Sequence, residues 1–360
     1  MSDNMRVYSQ VKSQLKKMFK TYTQGHVVTL AMMIASIVTG KRAQLGPMSA
    51  EIPYANAMDK SVERRMRRWV KNAHNEPGMY VAPFAEALLA GLALRELVLV
   101  MDGSAVGRGC MALMVGVVYQ RRVLPLAWIV YKGKKGHTTA DRHVAALEQV
   151  KPLIPVGATV IVLGDGEYDN PEMLDWVAQQ AQWYFACRTA KTTQISPNGE
   201  TWGRLADLAP GRGERNALAS VFFTQTHAAG PYHVVAWWGQ DYDEPLYLVS
   251  NLLDPDEVCY WYHKRFRIET FFSDQKSRGF QIDKSHLSDP ARLARLLIAA
   301  CLAYYWIVYL GVVALQTGLA KLIDRSDRTD LSLFQLGLRL LQYLLKWGKR
   351  FPVVFSVPPL

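Results

Sequence analysis

Between residues 97 and 187 the apolar positions fall in short unbroken runs, a pattern that predicts buried strands. Residues 97–101 form the first run and end at Asp102. Runs at 111–119 and 123–131 follow, joined by Gln120-Arg121-Arg122, a link short enough for a hairpin. A helix-like stretch at about 138–151 leads to a run at 158–163, which passes into Gly164-Asp165-Gly166. Asn170-Pro171 pairs an N-cap with a first-turn proline, so a helix is expected from there to about Gln180. Residues 183–187 make a fifth strand. Three strands, then helix, strand, helix, strand, specify a mixed sheet with helices on its faces.

The flanks read differently. The first ninety residues look helical: Met66, Trp69 and Val70 recur at helical spacing within 61–71, where Ser61 is the expected N-cap. Residues 188–250 hold Pro197-Asn-Gly199, Pro210-Gly-Arg-Gly213 and Gly230-Pro231 between β-prone runs at 221–224 and 233–238, which predicts a small β-rich insertion. The last third is helical. Asp254-Pro-Asp-Glu257 has the form of a capping box, Ser288-Asp-Pro290 opens an apolar helix, and Asp330 opens a final one to about Trp347. The expected units are 1–92, 93–188, 189–250 and 251–360. Residues 296–315 carry no charge for twenty positions, long enough to span a bilayer or to be a helix buried on all sides.

Charge narrows the partner. Lys and Arg number 42 against 31 Asp and Glu, a net +11. Thirteen of those cations, against six acids, lie in the first ninety residues. The excess favours a polyanion, nucleic acid or a membrane surface. Arg64, Arg65, Arg67 and Arg68 point cations to most sides of one helix, which suits either a solvated face or phosphate contact. Four dispersed cysteines without CxxC spacing exclude a disulfide scaffold and a cysteine-rich zinc site. The N-terminal residues have no apolar core of the signal-peptide kind, so a reduced, cytoplasmic setting is expected.

Asp102 and Asp165 each end an apolar run and are followed by glycine. Singly, each suits a turn. On neighbouring strands about 4.8 Å apart they would converge, and paired carboxylates suit hard cations such as Mg²⁺. Downstream, Tyr262, Arg265, Glu269 and Lys276 are spaced three, four and seven residues apart. At about 100° per residue they fall within an arc of roughly 60° on one helix. Such a stripe is either a salt-bridged surface, with Arg265 and Glu269 as an i,i+4 pair, or a wall of an active site.

The spacing Tyr-x2-Arg-x3-Glu-x6-Lys, downstream of two strand-borne aspartates, resembles the signature of DDE transposases of bacterial insertion sequences, in particular the group with a β-strand insertion between the second Asp and the Glu. The resemblance is firm over about 96–285. It implies an α/β, RNase H-like mixed sheet flanked by helices, a β-rich insertion before the third acid, and a helical N-terminal DNA-binding region. It implies two Mg²⁺ ions, with Mn²⁺ as substitute, held by Asp102, Asp165 and Glu269, and DNA cleavage and strand transfer at transposon ends. Tyr262, Arg265 and Lys276 would contact DNA, with partners that are double-stranded end and target DNA, a homodimer in the DNA complex, and no membrane. The expected location is the bacterial cytoplasm, at the nucleoid. Trp237 and Trp238 are candidates for stacking on a flipped base, or for packing within the insertion. Lys134 and Lys135 lie in a basic glycine-rich loop suited to solvent or to DNA, and His137 in that loop would lie near the leaving group. A non-catalytic DNA-binding protein on this scaffold and another RNase H-like nuclease are the alternatives.

Overall fold

A computed structural model describes residues 2–52, 58–136, 138–324 and 331–358. Five N-terminal helices, α1 (Asp3–Met18), α2 (Gln24–Gly40), α3 (Leu45–Glu51), α4 (Asp59–Lys71) and α5 (Pro77–Leu92), precede the sheet. The helix carrying the arginines starts at Asp59 with Met58 as N-cap, so Ser61 lies inside its first turn and is not the cap. An aspartate in that turn complements the helix dipole, which accounts for the earlier start.

Strands β1 (Leu97–Val106), β2 (Cys110–Tyr119) and β3 (Arg122–Lys132) form an antiparallel meander, with Gln120 at positive φ in the two-residue turn of the hairpin. After α6 (Ala140–Val150), β4 (Val160–Gly164) pairs parallel with β1. Helix α7 (Pro171–Asp175) begins as expected with the Asn170 side chain accepting from the Glu172 N–H, and continues as a π-turn through Gln180. Strand β5 (Tyr184–Thr189) then pairs parallel with β4. The order β3-β2-β1-β4-β5, with these directions, is the RNase H-like arrangement. Strands β6 (Gln194–Ser196), β7 (Gly203–Arg204), β8 (Arg215–Phe223), β9 (Ala229–Trp237) and β10 (Leu246–Ser250) continue the same sheet, because β10 pairs antiparallel with β5. Among the described residues the sheet has ten strands.

Helix α8 (Pro255–Tyr262) is capped by the Asp254 side chain, which accepts from the Asp256 N–H. No reciprocal box forms, since Glu257 instead accepts the indole N–H of Trp261 at 2.9 Å. The chain does not continue as one helix. A 3₁₀ turn at His263–Phe266 separates α8 from α9 (Arg267–Gln275), and Lys276 is the C-cap. Tyr262, Arg265, Glu269 and Lys276 therefore do not form the single stripe expected, because a 3₁₀ turn has about 3.0 residues per turn in place of 3.6.

Helix α10 (Pro290–Gln316), capped by Asp289, is the 27-residue apolar helix, followed by short α11 (Ala320–Ile323) and by α12 (Leu333–Lys346). Ser332 caps α12; Asp330, expected at its start, lies outside the described residues. Of the most apolar window of α10, 89% is buried within the protein, so its apolar length serves the core. The helix packs against α2, α4, α5, α12 and β3. Trp128 and Tyr305 donate across its interface with β3, to Ala294 O at 2.9 Å and Pro125 O at 2.8 Å. At the α10–α12 crossing a Cβ on Gly337 would stand 1.8 Å from the Ile307 carbonyl oxygen, so only glycine permits the approach.

One buried ion pair fixes α9 on the sheet. Arg122, at the start of β3, donates to Asp274 at 2.6 Å, and the two side chains are 10% and 3% exposed. Burial pushes the Asp274 carboxyl up to about 6 although Arg122 pulls it down. The Tyr304 hydroxyl of α10 donates to the same carboxylate at 3.5 Å.

Candidate active site

The parallel pairing of β1 with β4 stops at Val100 and Leu163, and beyond it the two strands no longer bond to each other. Asp102 lies two residues past that point. It does not end its strand: β1 runs on to Val106, held extended by pairing with β2, where Asp102 faces Met114. Asp165 is the first residue after β4. The two strands are neighbours, so both carboxylates open into the cleft where they part.

Arg265, from the 3₁₀ turn, reaches into that cleft. Its Nη1 lies 3.6 Å from Asp102 and 3.9 Å from Asp165, and its Nη2 donates to Glu269 at 3.0 Å. A guanidinium that is 9% exposed thus gathers three carboxylates from three separate elements. Exposure rises from 4% at the Asp102 side chain to 24% at Asp165 and 58% at Glu269, so the site is closed at one end and open at the other. Arg265 thus keeps the i,i+4 contact to an exposed Glu269 that spacing alone allows, and adds more buried contacts to Asp102 and Asp165.

Two lysines complete the surroundings. Lys135 Nζ stands 3.6 Å from Asp102, and Lys276 Nζ donates to the Ser104 hydroxyl at 2.5 Å. Burial lowers the Lys276 pKa. The loop bearing Lys135 is tied to the β4 side by Glu167, which accepts the N–H groups of Gly136 (3.2 Å) and Thr138 (3.0 Å). A cavity of about 650 Å³ beside Asp165 is lined by Lys135, Glu167, Arg188, Lys191 and Glu244 among others. Behind the acids the buried rings of His143 and Tyr168 lie 4.6 Å apart, and among the described residues the Tyr168 hydroxyl and both His143 nitrogens have no hydrogen-bond partner. Burial lowers His143 to about 4 and raises Tyr168, so both stay neutral at pH 7.

Burial also pushes Asp102 up to about 6, aided by the charge of Asp165 and opposed by Lys135, Arg265 and the Gly103 N–H. A carboxyl raised in the folded state contributes stability that is fully present below its unfolded pKa, near 4, and is lost as pH rises through about 6. In EDTA, Asp102→Asn is therefore expected to match the wild type near pH 4 and to exceed it by about 1–3 kcal/mol at pH 8. Urea unfolding at the two pH values measures this; equal stabilities at pH 8 would mean that the ionised Asp102 is fully compensated.

The other candidates lie elsewhere. Tyr262 is 1% exposed and packs edge-on against Phe266, with its phenol pKa raised by burial. On α4, Arg64 and Arg68 are exposed, whereas Arg65 donates to Thr29 and Gly25 O of α2 and Arg67 pairs with Glu63. Trp237 and Trp238 are half-buried at the end of β9. Trp237 meets the Tyr242 ring edge-on at 5.2 Å, and Trp238 donates to Tyr242 O at 2.9 Å. Lys134 is exposed, and His137 lies outside the described residues. Ser104, Glu167, His143 and Tyr168 were not foreseen. Only the nearness of Ser104 and Glu167 to the two aspartates in sequence signals a role for them.

The family model described as "Transposase DDE domain" matches residues 101–306. The chain belongs to that family. The matched span starts one residue before Asp102 and encloses Asp165 and Glu269. Among solved structures, a cryo-EM structure of the piggyBac transposase synaptic complex with hairpin DNA is similar, at 11% identity and a TM-score of 0.47, covering 97% of this chain and 80% of that one. No curated protein matches.

Transposases of this family work with divalent metal ions. The donor set here has the right chemistry, three carboxylates that already share one cation, and hard oxygen ligands suit Mg²⁺. As placed, the acids stand around the guanidinium. Among the described residues no three His, Cys, Asp or Glu side chains are close enough to hold one ion.

Proposed function

We propose that this transposase binds the ends of a bacterial insertion sequence, cleaves DNA there and joins the freed ends to target DNA, with Asp102, Asp165 and Glu269 as its catalytic acids. The convergence of those three carboxylates on Arg265 carries the reading. Asp102, Asp165 and Glu269 would hold two Mg²⁺ ions, with Mn²⁺ as substitute. Such ions, when bound, activate an oxygen nucleophile and stabilise the leaving oxygen of an in-line displacement.

The protein's own groups supply position and charge. The Gly103 N–H donates to Asp102 at 2.7 Å and fixes one carboxylate oxygen, while the Glu167 N–H does the same for Asp165 at 3.0 Å. Arg265, stacked over the Phe266 ring at 4.6 Å, can exchange its carboxylates for a phosphate, which a guanidinium grips in bidentate fashion. Lys276 and Lys135 flank the same cleft and would neutralise the DNA backbone. Arg64 and Arg68, exposed on α4 and, unlike the equally exposed Arg67, not paired with an acid among the described residues, are the N-terminal candidates for phosphate contact, with residues 1–92 as the DNA-binding region. Trp237 would stack on a flipped base. DNA-bound homodimers, each protomer acting on one end, complete the proposal.

The test is incubation of the purified protein with DNA carrying the end of its own element. Nicks at the element boundary are expected with Mg²⁺ or Mn²⁺, none with EDTA, and binding without cutting in Ca²⁺. Stable binding with no nick in either active ion would replace the enzyme with a DNA-binding protein on the same scaffold.

A further inference from the structure

At the end of β1 away from the acids, a groove of about 580 Å³ opens between the C-terminus of α5, the β2–β3 hairpin, α8 and the 3₁₀ turn. Its wall holds Arg95, Arg121, Lys264 and Arg267 against one carboxylate, Glu96. Among the described residues none of these four cations pairs with an acid. Arg267 is drawn into place by donating to Gln120 O at 2.5 Å. Burial, and then the nearby charge of Arg121, weaken its hold on its proton. Four cations gathered against a single carboxylate leave the groove electropositive, and an anion would relieve that.

Aromatic rings are interleaved with the cations. Lys264 Nζ sits 4.1 Å from the Tyr260 ring centre and 3.8 Å from that of Trp261. Trp261 is held by Glu257, whereas Tyr260 is 59% exposed. An open ring beside a row of cations is how proteins hold single-stranded nucleic acid with little regard to sequence, each base having a face to stack. The groove's lining on β1 reaches Val98, four residues from Asp102, or roughly 13 Å along the strand. A strand lying here is not the one at the acids.

We propose that this groove is a second nucleic-acid site, which takes a single-stranded DNA segment with phosphates on Arg95, Arg121 and Arg267 and a base on Tyr260. Only the choice of DNA rests on the transposase reading. Arg95 and Arg121 are exposed and lie in two different connections, α5–β1 and β2–β3, so both can be changed without opening the core.

Binding of labelled 20-nucleotide oligothymidine, followed by anisotropy in EDTA so that nothing is cut, tests the site. Arg95→Glu with Arg121→Glu should raise Kd about tenfold or more and flatten the slope of log affinity against log salt by about 1.4, the contribution of two single-strand phosphates. The control Lys321→Glu with Lys346→Glu, on exposed residues of α11 and α12, makes the same change in net charge and should shift Kd less than about twofold. Tyr260→Ala should weaken oligothymidine by about five- to a hundredfold while leaving a 20-base-pair duplex within about twofold. Melting curves matching the wild type establish that the variants are folded.

Equal losses in the double variant and its control would overturn the proposal. So would displacement of oligothymidine by ATP at equal phosphate concentration, which would make the groove a nucleotide pocket. A protein that cuts no element ends yet gives the expected losses keeps the groove and loses the proposed function. A protein that cuts but shows no loss does the reverse.

Discussion

Asp165→Ala and Glu269→Ala each reduce end cleavage by about 10³-fold or more, the scale expected when one member of a unit is removed, while affinity for end DNA in Ca²⁺ stays within about threefold. The geometry sets both halves of this expectation. Asp165 comes from the end of β4 and Glu269 from the first turn of α9, and neither has an acidic neighbour placed to take its part at Arg265. Glu167, two residues from Asp165, is engaged with the Gly136 and Thr138 amides. Binding survives because phosphates meet cations, and removing an acid relieves repulsion without removing a donor. Initial rates with pre-bound DNA separate the two quantities. Cleavage by Glu269→Ala within tenfold of wild type would take that residue out of the chemistry.

Breaking the Arg122–Asp274 pair should cost about 3–5 kcal/mol of stability, because either partner alone is a buried charge without its salt-bridge partner. The two halves should differ with pH. After Arg122→Ala, the remaining carboxyl has a pKa already raised to about 6 by burial, and it loses the cation that held it down. It can take up a proton, so the penalty should shrink from pH 8 to pH 5. After Asp274→Ala the remaining guanidinium stays charged throughout, and its penalty should not change with pH. Urea unfolding of both variants at pH 5 and pH 8 reads the contrast. A pH-independent loss in Arg122→Ala would mean that solvent reaches Asp274 once the arginine is gone. Since α9 carries Glu269 five residues before Asp274, the same variants should also lose cleavage when folded.

The strands were legible because their apolar runs are buried on both faces, and the helix between β3 and β4 marked the sheet as mixed, whereas the strand order was not legible. The extension of β1 past Asp102 was not legible. Gly103-Ser104-Ala105 has little strand preference, and pairing with β2 is what keeps it extended. The break at His263–Phe266 was hidden for a similar reason: no Gly or Pro marks it, and it accompanies the reach of Arg265 inward and of Lys264 onto two rings. Spacing identified Arg265 and Glu269 as partners but could not show that Asp102 and Asp165 share the same guanidinium. That requires β1 beside β4, a contact across some sixty residues of chain. The approach of Lys135 to Asp102 depends likewise on a loop held by Glu167.

The central place of α10 has a consequence for synthesis. Helix α2 ends at Gly40 and packs against a helix that begins at Pro290, about 250 residues later. At about 5–20 residues per second, a ribosome takes on the order of 10–50 s to deliver that partner. For that interval the apolar side of α2 belongs to an unfinished chain, a state that attracts chaperones and favours aggregation. Messages cut short before residue 290 yield N-terminal helices, arginines included, without the helix that completes their packing.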